Sequence, residues 1–159
     1  MTTSASIPPV LLAIDPGPSA SAYVVWDGVR ILGKGKYSNQ EFLGQVEHCR
    51  GMANSHCAIE MIASYGMAVG AEVFETCVWI GRFMERFGPD RCDRIPRIQI
   101  KNHLCHSSRA KDANIRQALI DRFGPVGSKN APGPLFGVAG DVWSALAVAV
   151  TWWDQRDLG

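Results

Sequence analysis

Three acids in this chain, Asp15, Glu60 and Asp141, each stand in an otherwise apolar setting. Asp15 ends the run Val10-Leu-Leu-Ala-Ile-Asp15-Pro-Gly17, Glu60 is embedded in His56-Cys-Ala-Ile-Glu60-Met-Ile62, and Asp141 opens the apolar stretch 142–153. An ionised carboxylate at the end of a buried strand costs desolvation energy unless a cation offsets it. Taken singly, each acid has an ordinary explanation: Asp15 in an Asx-type turn, Glu60 beside a buried Arg, Asp141 as the cap of a helix. Brought together, they are like charges that need a cation between them. Carboxylates clustered without His or thiolate partners favour hard, oxygen-loving ions such as Mg²⁺ or Mn²⁺. Two such ions about 4 Å apart can activate a water and stabilise the leaving oxygen of a phosphodiester.

Whether the acids meet depends on the elements that carry them. The apolar run predicts a strand over residues 10–15, buried on both faces, which Asp15-Pro16-Gly17 breaks. Residues 21–26 and 30–37 read as strands around the hairpin signal Asp27-Gly28, so the chain opens as a three-stranded antiparallel meander. Ser38 and Glu41 have capping-box spacing and announce a helix over 40–52, with Phe42, Val46, Cys49 and Ala53 at helical intervals. A strand over 56–62 follows, then a helix over 68–87 with the stripe Val69, Val73, Cys77, Ile80, Met84 and Phe87, stopped at Gly88-Pro89. Residues 97–100 read as a short strand after Pro96, and a helix starts at Lys111 or Asp112 and ends at Phe123. Residues 124–140 hold five glycines and three prolines without periodicity, and deliver the chain to a buried final helix over 142–153.

Antiparallel strands followed by strand–helix alternation predict an α/β class: a mixed sheet of five strands, three antiparallel and then two parallel, flanked by helices. Right-handed crossovers set the fourth strand parallel to the first, so that Asp15 and Glu60 face each other across neighbouring strands. The length of 159 residues fits one domain over residues 10–159, preceded by a disordered tail over residues 1–9. A formal net charge of +1 gives no general argument for a nucleic-acid partner, so any such charge must be local. No apolar run reaches the roughly 18 residues of a membrane span, and the N-terminus lacks the build of a secretory signal. Five cysteines without a C-x-x-C pair favour reduced, mostly buried thiols and a cytoplasmic setting. His103-Leu-Cys105-His106 lacks the spacing of a zinc motif and reads as structural or surface.

Asp15-Pro-Gly17 closing the first strand, Ala-Ile-Glu60 closing a later one, and Asp141-Val-Trp-Ser-Ala-Leu-Ala-Val-Ala-Val150 together resemble RuvC-type Holliday-junction resolvases of the RNase H-like (retroviral integrase) superfamily. The resemblance covers nearly the whole domain, and it extends to Lys101 and Lys111 as basic residues before and at the start of the penultimate helix. It implies an RNase H-like nuclease: a metal-dependent endonuclease that hydrolyses phosphodiesters symmetrically in four-way DNA junctions. Asp15, Glu60 and Asp141 would hold Mg²⁺ or Mn²⁺, two ions in all, and Lys111 would neutralise developing charge. The family pattern places a second acid three residues after the first on the last helix; Ser144 stands there instead, as an auxiliary residue. Asp154 lies about 15–20 Å further along the helix and cannot replace it. Two rivals follow: an RNase H-like nuclease for other branched or hybrid nucleic acids, and a junction-binding protein that does not cut.

Between Arg94 and Lys111 lie Arg94, Arg97, Lys101, Arg109 and Lys111 with no acid, which is either a solvated surface or a phosphate-contact strip. The loop after Glu60 carries Tyr65 and Met67, which either stack against or wedge into opened DNA or pack on the following helix. A junction of two-fold symmetry calls for a homodimer, and the helix over 68–87, with Val78, Trp79 and Phe83 off its main stripe, is the candidate interface.

Overall fold

The computed structural model describes residues 6–156; the predicted tail lies outside these residues over 1–5, and residues 6–9 have no regular structure. The run before Asp15 is strand β1 (Val10–Asp15), followed by β2 (Ala20–Trp26) and β3 (Ile31–Ser38). Helix α1 (Asn39–Arg50) starts at Ser38, whose hydroxyl accepts the Glu41 N–H at 3.3 Å, the bond expected of the capping spacing. Strand β4 (Ser55–Met61) and helix α2 (Ala71–Phe87) follow, then β5 (Cys92–Pro96), α3 (Arg97–Cys105), α4 (Asp112–Phe123) and α5 (Val142–Arg156).

The sheet runs β3-β2-β1-β4-β5, with β1 antiparallel to β2 and parallel to β4, and β4 parallel to β5. The mixed five-stranded sheet with three antiparallel and two parallel additions is therefore as expected. Its alternating side chains feed two cores. Leu11, Ala13, Ala22, Val24, Trp26 and Ala58 pack under α5, whose alanines at 145, 147 and 149 are fully or almost fully buried and let the helix sit close. Leu12, Ile14, Tyr23, Val25, Cys57 and Ile59 face α1 and α2 on the other side. This explains why β1 is apolar at every position before Asp15 and α5 on nearly every face.

Two expectations fail. The fifth strand is residues 92–96, not 97–100, and the latter begin helix α3. Ile98 and Ile100 imitate a strand's alternation, whereas the true strand is an edge with Ile95 as its one buried residue and with Pro96 at its end, where a missing N–H costs nothing. Helix α2 starts three residues late and is rotated from its predicted stripe: Thr76, Ile80, Phe83 and Phe87 are buried. Thr76 fits because its hydroxyl donates to the Glu72 carbonyl at 2.9 Å, so the apolar periodicity was hidden by a polar residue that satisfies itself. Phe83, expected off the stripe, lies in the core, and Phe74 is 63% exposed instead.

Candidate metal and nucleic-acid site

The register of the sheet builds a row of side chains across its C-terminal edge. Lys36 pairs with Ala22 and Ala22 with Asp15; β1 and β4 run parallel with Ile14 beside Ile59, which sets Glu60 next to Asp15; Glu60 pairs with Ile95. All point to the face that α5 covers, because Asp15 continues the alternation of Leu11 and Ala13. The row stands at the end of α5, where Asp141 begins the helix: its carbonyl accepts the Ala145 N–H at 3.2 Å.

The ordinary explanation fails for Asp15 and holds for Glu60. The turn after Asp15 is braced by other groups: Gly17 N–H donates to Ser21 Oγ at 3.2 Å, Ser21 Oγ donates to Asn39 Oδ1 at 2.6 Å, and Asn39 Nδ2 donates to the Gly17 carbonyl at 2.9 Å. Gly17 is required there, since a Cβ would sit 2.4 Å from the Ala20 carbonyl oxygen. Asp15 is thus released from turn duty and left half-buried between acids. Burial first, then the neighbouring Glu60 carboxylate, then Asp141, push its pKa up to about 8, against a small opposing pull from Arg97. Asp141 spends its carboxylate on Lys36, whose ammonium lies 2.6 Å from Oδ2. Glu60 does meet an Arg: Arg97 Nη1 donates to Oε1 at 2.9 Å, and the same guanidinium pairs with Asp112 through Nη2.

Arg97 lines one cleft and Asp112 another. One, of about 240 Å³, is lined by Glu60, Tyr65, Arg97, Ile98, Lys101 and Ser108. The other, of about 230 Å³, is lined by Asp112, Arg116, Gly140, Asp141 and Ser144, so Ser144 does share a wall with Asp141. Tyr65 and Met67 are 69% and 74% exposed, so they do not pack on α2; Tyr65 adopts φ +51°, a left-handed conformation unusual for a bulky residue. Lys101 joins the first cleft, while Arg109 is exposed on the segment before α4. Lys111 is exposed at the N-cap of α4, where its N–H donates to Asn114 Oδ1 at 2.8 Å, and it forms no ion pair with the carboxylates among the described residues. Arg94 lies on β5 in a groove with Asp93, Gln99 and Trp152, apart from the acids.

Two residues near the acids had no place in the sequence reading. Lys36 looks like any exposed lysine on an edge strand; only its register opposite Ala22 reveals the connection. Asp112 looks like a first-turn helix acid.

The donor set is carboxylate oxygen throughout, and among the described residues no cation is hydrogen-bonded to Asp15, which suits a hard divalent ion held by Asp15 and Glu60. Among the described residues no three His, Cys, Asp or Glu side chains converge closely enough to hold an ion together. The expected cluster of three is thus two adjoining carboxylates and a third drawn aside.

No family model matches this sequence, and no curated protein matches it. Solved structures match by shape. Thermus thermophilus RuvC superposes with a TM-score of 0.62 at 18% identity, over 94% of this chain and 96% of that one. The structure of T. thermophilus RuvC in complex with a Holliday junction substrate gives 0.60 at 18% identity, over the same shares. At that identity the likeness carries the fold, and the fold of this chain is the RNase H-like fold of RuvC.

Proposed function

We propose that this protein is a metal-dependent structure-specific endonuclease that hydrolyses phosphodiesters in four-way DNA junctions. The observation that carries this reading is the row Asp15–Glu60 at the strand ends, with Asp15 held near pKa 8 by burial and by its neighbours until a cation relieves it. Asp15 and Glu60 would hold Mg²⁺ or Mn²⁺, with Asp141 close by. A divalent ion there supplies Lewis acidity and lowers the pKa of water. In hydrolysis the oxygen of water bonds to phosphorus, the P–O bond to the leaving deoxyribose oxygen breaks, and that oxygen takes up a proton.

The chain's own residues position the substrate. Lys101, in the cleft beside Glu60, and exposed Arg109 and Lys111 meet phosphates, which fixes a branched backbone without reading bases. Tyr65 and Met67 stand free at the rim to stack against or wedge between opened bases. Two strands cut symmetrically need two sites, so the working form is a homodimer. The exposed Phe74 and Val78 on α2 form its contact, in place of the buried Phe83. Among the described residues no helix is long and apolar enough to cross a membrane, and the described cysteines are free thiols. Ser144, in the position of a second helix acid, favours one rival, a junction-binding protein without cleavage.

A synthetic four-way junction, incubated with the parent and Asp15→Asn in Mg²⁺, Mn²⁺ or EDTA, separates these readings. Symmetric, metal-dependent nicking that falls about a thousandfold or more in Asp15→Asn, with binding kept or improved, is expected. Tight binding without product under either ion would make the protein a binder. Equal cleavage by Asp15→Asn would remove the site from the acids altogether.

A further inference from the structure

We propose that Lys36 is a resident cation of the carboxylate site, which draws Asp141 out of the ligand set and leaves a site for one divalent ion on Asp15 and Glu60. The inference rests on the metal-site reading above and reduces the two ions implied by the sequence resemblance to one.

The arrangement is built into the sheet. Lys36 and Asp15 flank Ala22 in one row, two strand spacings or roughly 10 Å apart. The side chain between them is only a methyl group, and the lysine extends to Asp141 at the start of α5. Lys34, two residues earlier on the same face, is directed alike: a Cβ at Gly137 would lie 3.0 Å from its Cε. Both lysines of β3 therefore reach the segment that ends at Asp141. The Lys36 ammonium meets Asp141 Oδ2 at 2.6 Å. The second helix acid that the sequence resemblance implies is not present, because that position is Ser144.

Charge balance supports the same count. Asp15, Glu60, Asp141 and Asp112 carry four negative charges when all four are ionised, as a bound cation requires of Asp15, and Lys36 with Arg97 supplies two positive ones. The remaining deficit is about that of one divalent ion. Arg97 does not play the part of Lys36, since its charge is divided between Glu60 and Asp112. Lys36 acts here as a positioning residue, through Asp141.

The test counts Mn²⁺ bound per chain to the full-length protein, by electron paramagnetic resonance of the free ion and by calorimetry, without DNA. One Mn²⁺ per chain is expected for the parent, for Lys36→Arg and for Lys34→Met. Two are expected for Lys36→Met, with the second lost when Asp141→Asn is added. Two ions on the parent would overturn the inference and leave the nuclease reading intact. One ion on both parent and Lys36→Met, with the variant folded by circular dichroism, would also overturn it, since the lysine would then decide nothing. A parent that binds no Mn²⁺ would defeat the metal reading and this inference together.

Discussion

Helix α5 begins at a carboxylate that belongs to one kind of cluster and ends near a carboxylate that belongs to another. Asp154, towards its C-terminus, accepts two parallel bonds from Arg122, at 2.5 and 2.7 Å, and a third contact from His103 Nε2 at 2.7 Å. The Arg122 hydrogen bond leads in holding its pKa below the ordinary range, against the cost of burial. At the other end Asp15 is pushed up to about 8, because burial and two further acids outweigh the one guanidinium within reach. Both clusters join three or more elements. One is electrostatically complete and ties α3 and α4 to α5; the other is short of positive charge. A closed cluster stabilises a fold without inviting a ligand, whereas a deficit at strand ends beside open clefts invites a cation.

The largest effect that would break this contrast lies in the pH dependence of stability of the ion-free protein. Asp15 has a folded pKa of about 8 and an ordinary value of 3.8. Between these values the folded state binds more protons than the unfolded one, so stability falls as pH rises from about 4 to 8. The thermal midpoint should drop by on the order of 5 °C or more over that window. Asp15→Asn should flatten the slope, and Mg²⁺ should raise the parent's midpoint at pH 8 while leaving the variant's nearly unchanged. A parent curve without slope would equate the two ends of the helix.

Asp154→Asn makes the converse case. Loss of its charge should cost about 1–2 kcal/mol after solvent screening of the half-exposed Arg122, or roughly 2–8 °C in thermal midpoint. The folded pKa is depressed, so this contribution is present above 3.8 and is lost as pH falls through the lower folded value. Mn²⁺ binding should be unaffected. A change in ion binding without a change in stability would reverse the roles assigned to the two acids.

The part of this contrast that sequence carried is specific. Asp15, Glu60 and Asp141 were legible because each interrupts an apolar run, and strand pairing of β1 with β4 was legible because right-handed crossovers leave little choice. The row that joins Asp15 to Lys36 was not, since it depends on register across two strands and on Ala22 being small, and neither leaves a periodic trace in β3. Arg97 was placed in a phosphate strip because its neighbours in sequence are basic, yet its partners Glu60 and Asp112 are 37 and 15 residues away. The fifth strand was misread because an edge strand with one buried residue offers no alternation, while the helix after it does. His103 reads from its spacing as structural or surface, and its tie to Asp154 depends on the packing of α3 against α5.

The smallest expected effect sharpens the same contrast on the DNA side. A cation already neutralised by a carboxylate releases few counterions when it nears a phosphate, whereas an unpaired one releases its share. Arg122 is of the first kind, bonded twice to Asp154; Lys101 faces the cleft beside Glu60 with no ion pair among the described residues. Measured as the slope of log K against log salt for a four-way junction, Lys101→Ala should reduce the magnitude by about 0.9 for the lost phosphate contact. Arg122→Ala should leave the slope unchanged even though it destabilises the fold. Equal slopes for the two variants would mean that net charge alone governs DNA binding, and the distinction between satisfied and unsatisfied charge would then stop at the carboxylates.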